Sequence, residues 1–157
     1  MSRTTPATLA LARAGVAFEL ATYDYDPNAE RVGLQAAEAL GAPAAEVLKT
    51  LMVLVDGKPA CVVLASDREV SMKKLAAALG GKSAEMMKPA DAERTTGYKV
   101  GGVSPFGQKR RVRTVLDAAA LDRPAVFVNG GQRGLQARLA PADLVRLLEA
   151  TVAEVAA

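Results

Sequence analysis

Histidine is absent from all 157 residues, and no other gap in the composition restricts the chemistry as much. Its absence excludes Ser-His and Cys-His nucleophile pairs, imidazole general bases and most zinc sites. Tryptophan is absent too, and aromatic residues make up 4% of the chain against a hydrophobic content of 50%. The core must therefore be packed mainly from Val, Leu, Ala and Met. A single cysteine, Cys61, excludes an internal disulfide. Its setting in Ala60-Cys61-Val62-Val63-Leu64-Ala65 is apolar, which points to a buried, inert thiol rather than a nucleophile. No apolar run approaches the ~20 residues needed to span a bilayer. Pro6 and Arg13 interrupt the N-terminal stretch before it reaches signal-peptide length. A soluble protein of a reducing compartment follows, most simply cytoplasmic and without membrane contact.

What is present fits one domain over residues 1–157, long enough to bury a sizeable core. The net charge is +3 and the isoelectric point about 9.2, a modest excess that favours an anionic partner. Thr5-Pro6 reads as a helix N-cap and first turn and Gly15 as its stop. Residues 18–23 alternate like a half-buried strand and lead into the turn Asp24-Tyr25-Asp26-Pro27-Asn28. Tyr23 and Tyr25 at that strand end either line a pocket or wedge against the core. A helix is expected from Val32 to Leu40, ended by Gly41. Residues 48–55 form the strongest strand, apolar on both faces and so expected to be central and covered on both sides. Counting by twos from Val55 puts Lys49 on the face of Val53 and Leu51. Lys49 then either snorkels to solvent or is a partly desolvated cation that acts strongly on a ligand.

A turn is expected over residues 56–59, then an antiparallel return over residues 60–65. Ser71 caps a helix with the stripe Met72, Leu75, Ala76 and Leu79, and Pro89 opens a further short helix. Residues 114–117 and 125–128 read as strands, residues 135–139 as another. Pro141 opens a terminal helix expected to carry Leu144, Leu148, Val152 and Val155 on one face.

Two glycine-rich stretches stand out. Gly97-Tyr98-Lys99-Val100-Gly101-Gly102-Val103-Ser104-Pro105-Phe106-Gly107 is poor helix and poor strand, but permits close backbone approach and converging amides suited to an anion or oxyanion. A bulged hairpin would use the same glycines only for turn geometry. It follows a helix and matches neither the dinucleotide fingerprint nor the P-loop. Directly after it, Lys109, Arg110, Arg111 and Arg113 place four cations in five residues, either a solvated face or a set of phosphate contacts. Asn129-Gly130-Gly131-Gln132-Arg133-Gly134 is a second glycine-rich turn carrying a cation.

Lys49 within Val47-Leu48-Lys49-Thr50-Leu51, then Gly97-Tyr98-x-Val100-Gly101-Gly102-Val103-Ser104-Pro105-x-Gly107, then Val128-Asn129-Gly130-Gly131-x-Arg133-Gly134-Leu135, resemble in order and spacing the YbaK-like aminoacyl-tRNA deacylases. These are relatives of the editing domain inserted in bacterial prolyl-tRNA synthetases, and the resemblance covers nearly the whole chain. It implies a mixed α/β fold, a partly closed mixed β-sheet flanked by helices, holding a pocket for the aminoacylated 3′ end of a mischarged tRNA. It implies Lys49, Gly101 and Gly102 as the catalytic set, with Tyr23, Thr50, Ser104, Asn129, Gly130, Gly131 and Gln136 around the substrate. No cofactor or metal is implied. A free-standing trans-editing hydrolase is expected, acting first on Cys-tRNA(Pro), with tRNA(Pro) and prolyl-tRNA synthetase as candidate partners and Lys109, Arg110 and Arg111 on the phosphates. Tyr25 stands where many members have histidine. Asn129 and Gln136 stand near positions where the cysteine-specific proteins carry serine and aspartate, so pocket polarity is expected to differ. Other readings of the same loops are a deacylase for another small amino acid such as alanine, a non-catalytic module for tRNA ends, and a small-molecule thioesterase or esterase.

Overall fold

The computed structural model describes residues 3–29 and 34–157. Helix α1 (Pro6–Ala14) is started by Thr5, whose hydroxyl accepts the Thr8 amide at 3.0 Å while the Thr8 hydroxyl accepts the Thr5 amide at 2.8 Å. This reciprocal cap satisfies two amides that a helix start would otherwise leave unpaired. Gly15, at φ 71°, ends the helix. Strand β1 (Glu19–Thr22) and helix α2 (Gln35–Leu40) follow. The expected start of α2 at Val32 lies outside the described residues.

Strand β2 (Leu48–Val55) turns into β3 (Lys58–Ala65) through Asp56 and Gly57 alone, both at positive φ. That is the tight hairpin turn whose twist matches the flanking strands. The expected turn over residues 56–59 is therefore shorter, and Pro59 lies inside β3 opposite Leu54. Its missing N–H is tolerated because the ladder on the other side of β3 begins only at Ala60.

The remaining elements are α3 (Met72–Ala78), β4 (Ala84–Met86), α4 (Pro89–Thr96), β5 (Arg113–Asp117), β6 (Val126–Asn129), β7 (Leu135–Leu139), α5 (Pro141–Leu148) and β8 (Thr151–Ala153). One sheet runs β4-β2-β3-β5-β8, parallel at β3/β5 and β5/β8 and antiparallel elsewhere. A second, antiparallel sheet runs β1-β7-β6. The two meet where Val47 bridges Phe127. The mixed sheet flanked by helices is thus present, parted along that junction.

Strand β2 is covered on both faces but is second from the edge; β3 takes the centre, with residues 60–64 all 2% exposed or less. On one side Leu75, Ala76 and Leu79 of α3 pack on Val53, Val62, Leu64 and Val115. On the other, Leu48, Met52, Cys61, Val63 and Leu116 meet Leu11 of α1, Leu144 of α5 and the inner face of the smaller sheet. Each such fully buried aliphatic side chain contributes about 1.5–3 kcal/mol.

The C-terminus corrects the expectation of one long helix. Glu149 adopts φ 50° and ends α5, and the chain then adds β8 to the open edge of β5. The Val155 amide donates to the buried Asp117 carboxylate at 3.0 Å. The spacing of Leu144, Leu148 and Val152 mimics a helical face, but pairing with an otherwise unpaired strand edge outweighs the local preference.

Thr5 also donates its hydroxyl to the Gly130 carbonyl at 2.5 Å, tying the start of α1 to the second glycine turn. Thr5→Ala is expected to lower stability by about 1–3 kcal/mol, the sum of a lost cap and an unpaired carbonyl. Urea denaturation measures this; an unchanged midpoint would show that neither bond matters.

Candidate active site

Strand β4 pairs with β2 only from Val53 onward, and the Met87 amide extends the contact to the Met52 carbonyl at 3.1 Å. Residues 48–51 therefore present an open strand edge beside the junction at Val47. A cavity of about 300 Å³ lies against that edge. Because the cavity wraps round an edge rather than facing one side of the sheet, the consecutive residues Lys49 and Thr50 both line it. Tyr23 and Tyr25 beyond β1, Gly101 of the glycine loop, Asn129 of β6 and Gln136 of β7 complete the expected residues at the cavity. Asn129 and Gln136 are register partners across β6/β7. Leu51, Met52, Met86, Met87 and Val103 make the rest of the lining largely apolar.

Three polar features give this cavity its character. Lys49 is half-buried, and none of the ion pairs among the described residues includes it. Gln136 is 4% exposed, and its side-chain carbonyl oxygen has no hydrogen-bond partner among the described residues; the buried Thr50 hydroxyl is equally unpartnered. Asn129 clamps both glycine stretches, donating to the Gly101 carbonyl at 3.3 Å and accepting the Gly131 amide at 2.7 Å. Burial raises the Tyr23 phenol above its ordinary value and the neighbouring Tyr25 adds to this, against a smaller opposing pull from Gln136. Tyr23 is thus a neutral hydroxyl at physiological pH.

The other expected residues lie elsewhere. Gly102 backs onto a neighbouring groove, and its amide donates to the Lys99 carbonyl at 2.8 Å. The Gly101 and Val103 amides, by contrast, donate to no described residue. Ser104 is fully buried, its hydroxyl accepting the Phe106 amide at 3.2 Å, and so shapes the loop from within. Gly130 closes the β6/β7 turn by donating to the Leu135 carbonyl, and Gly131 lines the neighbouring groove. Lys109 and Arg110 are exposed and their amides cap the end of α4, bonding Thr96 and Thr95. Arg111 pairs with Glu149 and lines a separate cleft of about 370 Å³ between α1 and α5. Sequence reasoning missed Met86 and Met87, whose apolar character carries no motif, and gave Val103 no role although it stands in the glycine-loop motif. It placed Arg133 in a turn and in a family motif, without a contact to Tyr25 or Val100.

The family of aminoacyl-tRNA editing domains matches residues 26–147. The chain belongs to this family. It is 40% identical over 121 residues to EbsC of Enterococcus faecalis, a protein named as a Cys-tRNA(Pro)/Cys-tRNA(Cys) deacylase, covering 76% of this chain and 73% of that one. It is 26% identical over 144 residues to the multifunctional Ser/Thr-tRNA deacylase ProXp-y of Escherichia coli K12, covering 88% of this chain and 84% of that one. A crystal structure described as a trans-editing enzyme for prolyl-tRNA synthetase superposes with a TM-score of 0.85 at 24% identity over 99% of both chains, a likeness of fold.

In this editing domain the sole thiol stands apart from the cavity. Cys61 is 0% exposed, and burial pushes its thiol up to about 12 against weaker pulls from Gln108 and Thr114. The thiol therefore stays protonated at pH 8. Iodoacetamide at pH 8 is expected to leave native Cys61 unmodified and to label it fully in denaturant, as read by mass spectrometry. Rapid native labelling with loss of activity would restore Cys61 as a candidate nucleophile.

Proposed function

We propose that this editing domain hydrolyses the ester of mischarged aminoacyl-tRNA, with cysteine on tRNA(Pro) as its first substrate, in the cytoplasm where prolyl-tRNA synthetase makes such errors. The observation that carries this reading is the pairing of unpartnered acceptors with an unpaired cation around one small apolar cavity. The Gln136 carbonyl oxygen and the Thr50 hydroxyl call for a donor, which the ammonium or side chain of a small amino acid supplies. An acceptor left buried and unpaired costs about 1–3 kcal/mol, so a ligand that supplies the donor recovers much of this on binding.

Lys49 and the Gly101 amide stand where negative charge grows on the ester carbonyl. A cation about 4 Å from an oxyanion stabilises it by roughly 4 kcal/mol at the effective dielectric of a partly exposed site. Among the described residues no carboxylate or histidine lines the cavity, and the thiol is buried away from it. An aminoacyl ester is already activated, so the nucleophile comes from water, a ribose hydroxyl or the substrate. For a cysteinyl ester the substrate sulfur attacks its own carbonyl carbon, a bond forms between them, and the bond from that carbon to the ribose oxygen breaks. The thiol proton ends on the ribose oxygen, and water then opens the thiolactone to free cysteine. Tyr23 supplies a neutral hydroxyl at the substrate, and Asn129, with Gly130 and Gly131 behind it, holds the Gly101 wall. Ser104 and Gly102 support the loop from the far side. Lys109, Arg110 and Arg111 contact phosphates farther along the tRNA, giving affinity without reading bases.

A second reading, hydrolysis of seryl or threonyl esters, is favoured by the same unpartnered acceptors, because a hydroxyl is a better donor than a thiol.

Lys49→Ala is expected to lower kcat/KM by roughly 10²-fold with an unchanged thermal midpoint, the scale of removing one preorganised electrostatic donor. Normal turnover in folded Lys49→Ala protein would remove Lys49 from the site, and a wild-type protein that binds but never deacylates would leave a tRNA-end-binding module. A panel of cysteinyl-, seryl-, threonyl- and alanyl-tRNA(Pro) separates the substrates. Cysteinyl-tRNA is expected to be cleaved fastest and to become inert once its thiol is alkylated, whereas equal rates on alanyl-tRNA would rule out substrate-thiol attack.

A further inference from the structure

The wall of the cavity has a second side. Val100 and Gly101 face the cavity, while Lys99 and Gly102 of the same loop line a groove of about 400 Å³ shared with Gly131 and Arg133. The segments that line this groove are packed too tightly for side chains at two of its glycines. A Cβ at Gly102 would lie 2.8 Å from the Arg133 nitrogen, and one at Gly131 would lie 2.9 Å from the Thr5 hydroxyl. Arg133 sits at the junction of groove and cavity: its Nε–H donates to the Val100 carbonyl at 2.9 Å and its guanidinium lies 5.4 Å from the centre of the Tyr25 ring. Those contacts fix the plane of the guanidinium and use one of its five N–H donors. Neither Arg133 nor Lys99 belongs to an ion pair among the described residues. Glu93, the carboxylate bonded to this loop, accepts the Val100 amide at 2.9 Å. A third cation is adjacent, since the Lys109 Cβ lies 3.5 Å from where a Gly97 Cβ would stand.

We propose that this groove is the phosphate subsite of the substrate's 3′ end, with Arg133 and Lys99 holding the backbone phosphates that lead away from the acylated ribose. The proposal rests on the deacylase reading, which puts the ester in the cavity and therefore makes the polynucleotide leave across its rim. Arg133 is the cation at that rim, and Lys99 lies on the same groove. The cationic run at Lys109, Arg110 and Arg111 then continues the track rather than beginning it. Arg133 is a binding and positioning residue: through Val100 and Tyr25 it also couples an occupied phosphate site to the cavity wall.

The test uses Lys99→Gln and Arg133→Gln, singly and together, with Arg133→Lys as the charge-retaining control. Lys99 is exposed on a loop, so its variant keeps the fold even if Arg133→Gln does not. Binding of an uncharged CCA-ended RNA oligonucleotide is measured against salt by fluorescence anisotropy. Each neutralised charge is expected to weaken binding about tenfold at low salt and to reduce the salt slope by about 0.7, while Arg133→Lys keeps most of the slope. In kinetics, KM for aminoacyl-tRNA rises more than kcat falls. The preference for aminoacyl-tRNA over aminoacyl-adenosine, which carries no phosphate, shrinks by a similar factor. An unchanged salt slope and an unchanged preference would overturn the subsite. A wild-type protein that hydrolyses no aminoacyl-tRNA, yet loses salt slope in these variants, would overturn the deacylase reading and leave the RNA groove standing.

Discussion

Two backbone segments lie closer here than any side chain would permit, and the candidate site is arranged around that approach. The loop at Gly101 and Gly102 meets the turn at Gln132 and Arg133 with no space for a Cβ at Gly102, and Gly101 is held at φ 91° under the Tyr25 hydroxyl. Asn129 bonds both segments, the Thr5 cap bonds Gly130, and the Tyr98 hydroxyl donates to the Phe106 carbonyl at 2.6 Å to close the loop on itself. On this side the cavity is therefore backed by closely packed main chain, braced by a helix N-terminus. Main chain there offers the amide of Gly101, which suits a reaction whose developing charge sits on a carbonyl oxygen.

The electrostatics follow from what the wall lacks. Under the proposed reading, with no imidazole available, stabilisation of the oxyanion falls to dipoles and to one cation, and Lys49 reaches the cavity where β4 leaves the edge of β2 uncovered. The apolar lining sharpens the effect, since the same charge acts several-fold more strongly across low-dielectric surroundings than across water.

Much of this was legible in the chain. Thr5-Pro6 and Gly15 bound α1 as cap chemistry requires, the apolar run at residues 48–55 is a doubly covered strand, and both glycine stretches flank the cavity. Local rules failed where long-range pairing decided the outcome. Residues 151–153 looked helical by spacing and became a strand because β5 had an edge to fill, and β4 is too short to show an alternation. The division of labour between adjacent glycines was equally hidden. Only the fold shows that Gly101 faces the cavity while the Gly102 amide is taken by Lys99. Gln136 could be placed near the substrate through family resemblance, but its unpartnered oxygen is a property of packing. Arg133 stood inside a recognisable motif, yet its role depends on Tyr25 and Val100, which lie far from it in sequence.

Under the proposed reading, substrate choice is a contest between binding and reactivity within one pocket. The unpartnered oxygens of Gln136 and Thr50 reward a hydroxyl over a thiol by the difference between two neutral hydrogen bonds, about 1 kcal/mol or a factor of about five. Reactivity runs the other way: free cysteine is a few per cent thiolate near pH 7 and intrinsically far more nucleophilic than serine, whose hydroxyl needs a general base, and among the described residues no carboxylate or histidine lines the cavity. Alanine's side chain offers neither donor nor nucleophile, so an acceptor its ammonium does not reach stays unpaired, a loss of about 1–3 kcal/mol on binding alone. The pocket therefore discriminates against alanine twice and between serine and cysteine in opposite senses. The hydroxyl gains in KM and the thiol gains in kcat. Because the reactivity difference is the larger, a cavity lined by no carboxylate or imidazole turns over the thiol substrate faster while still admitting the hydroxyl ones.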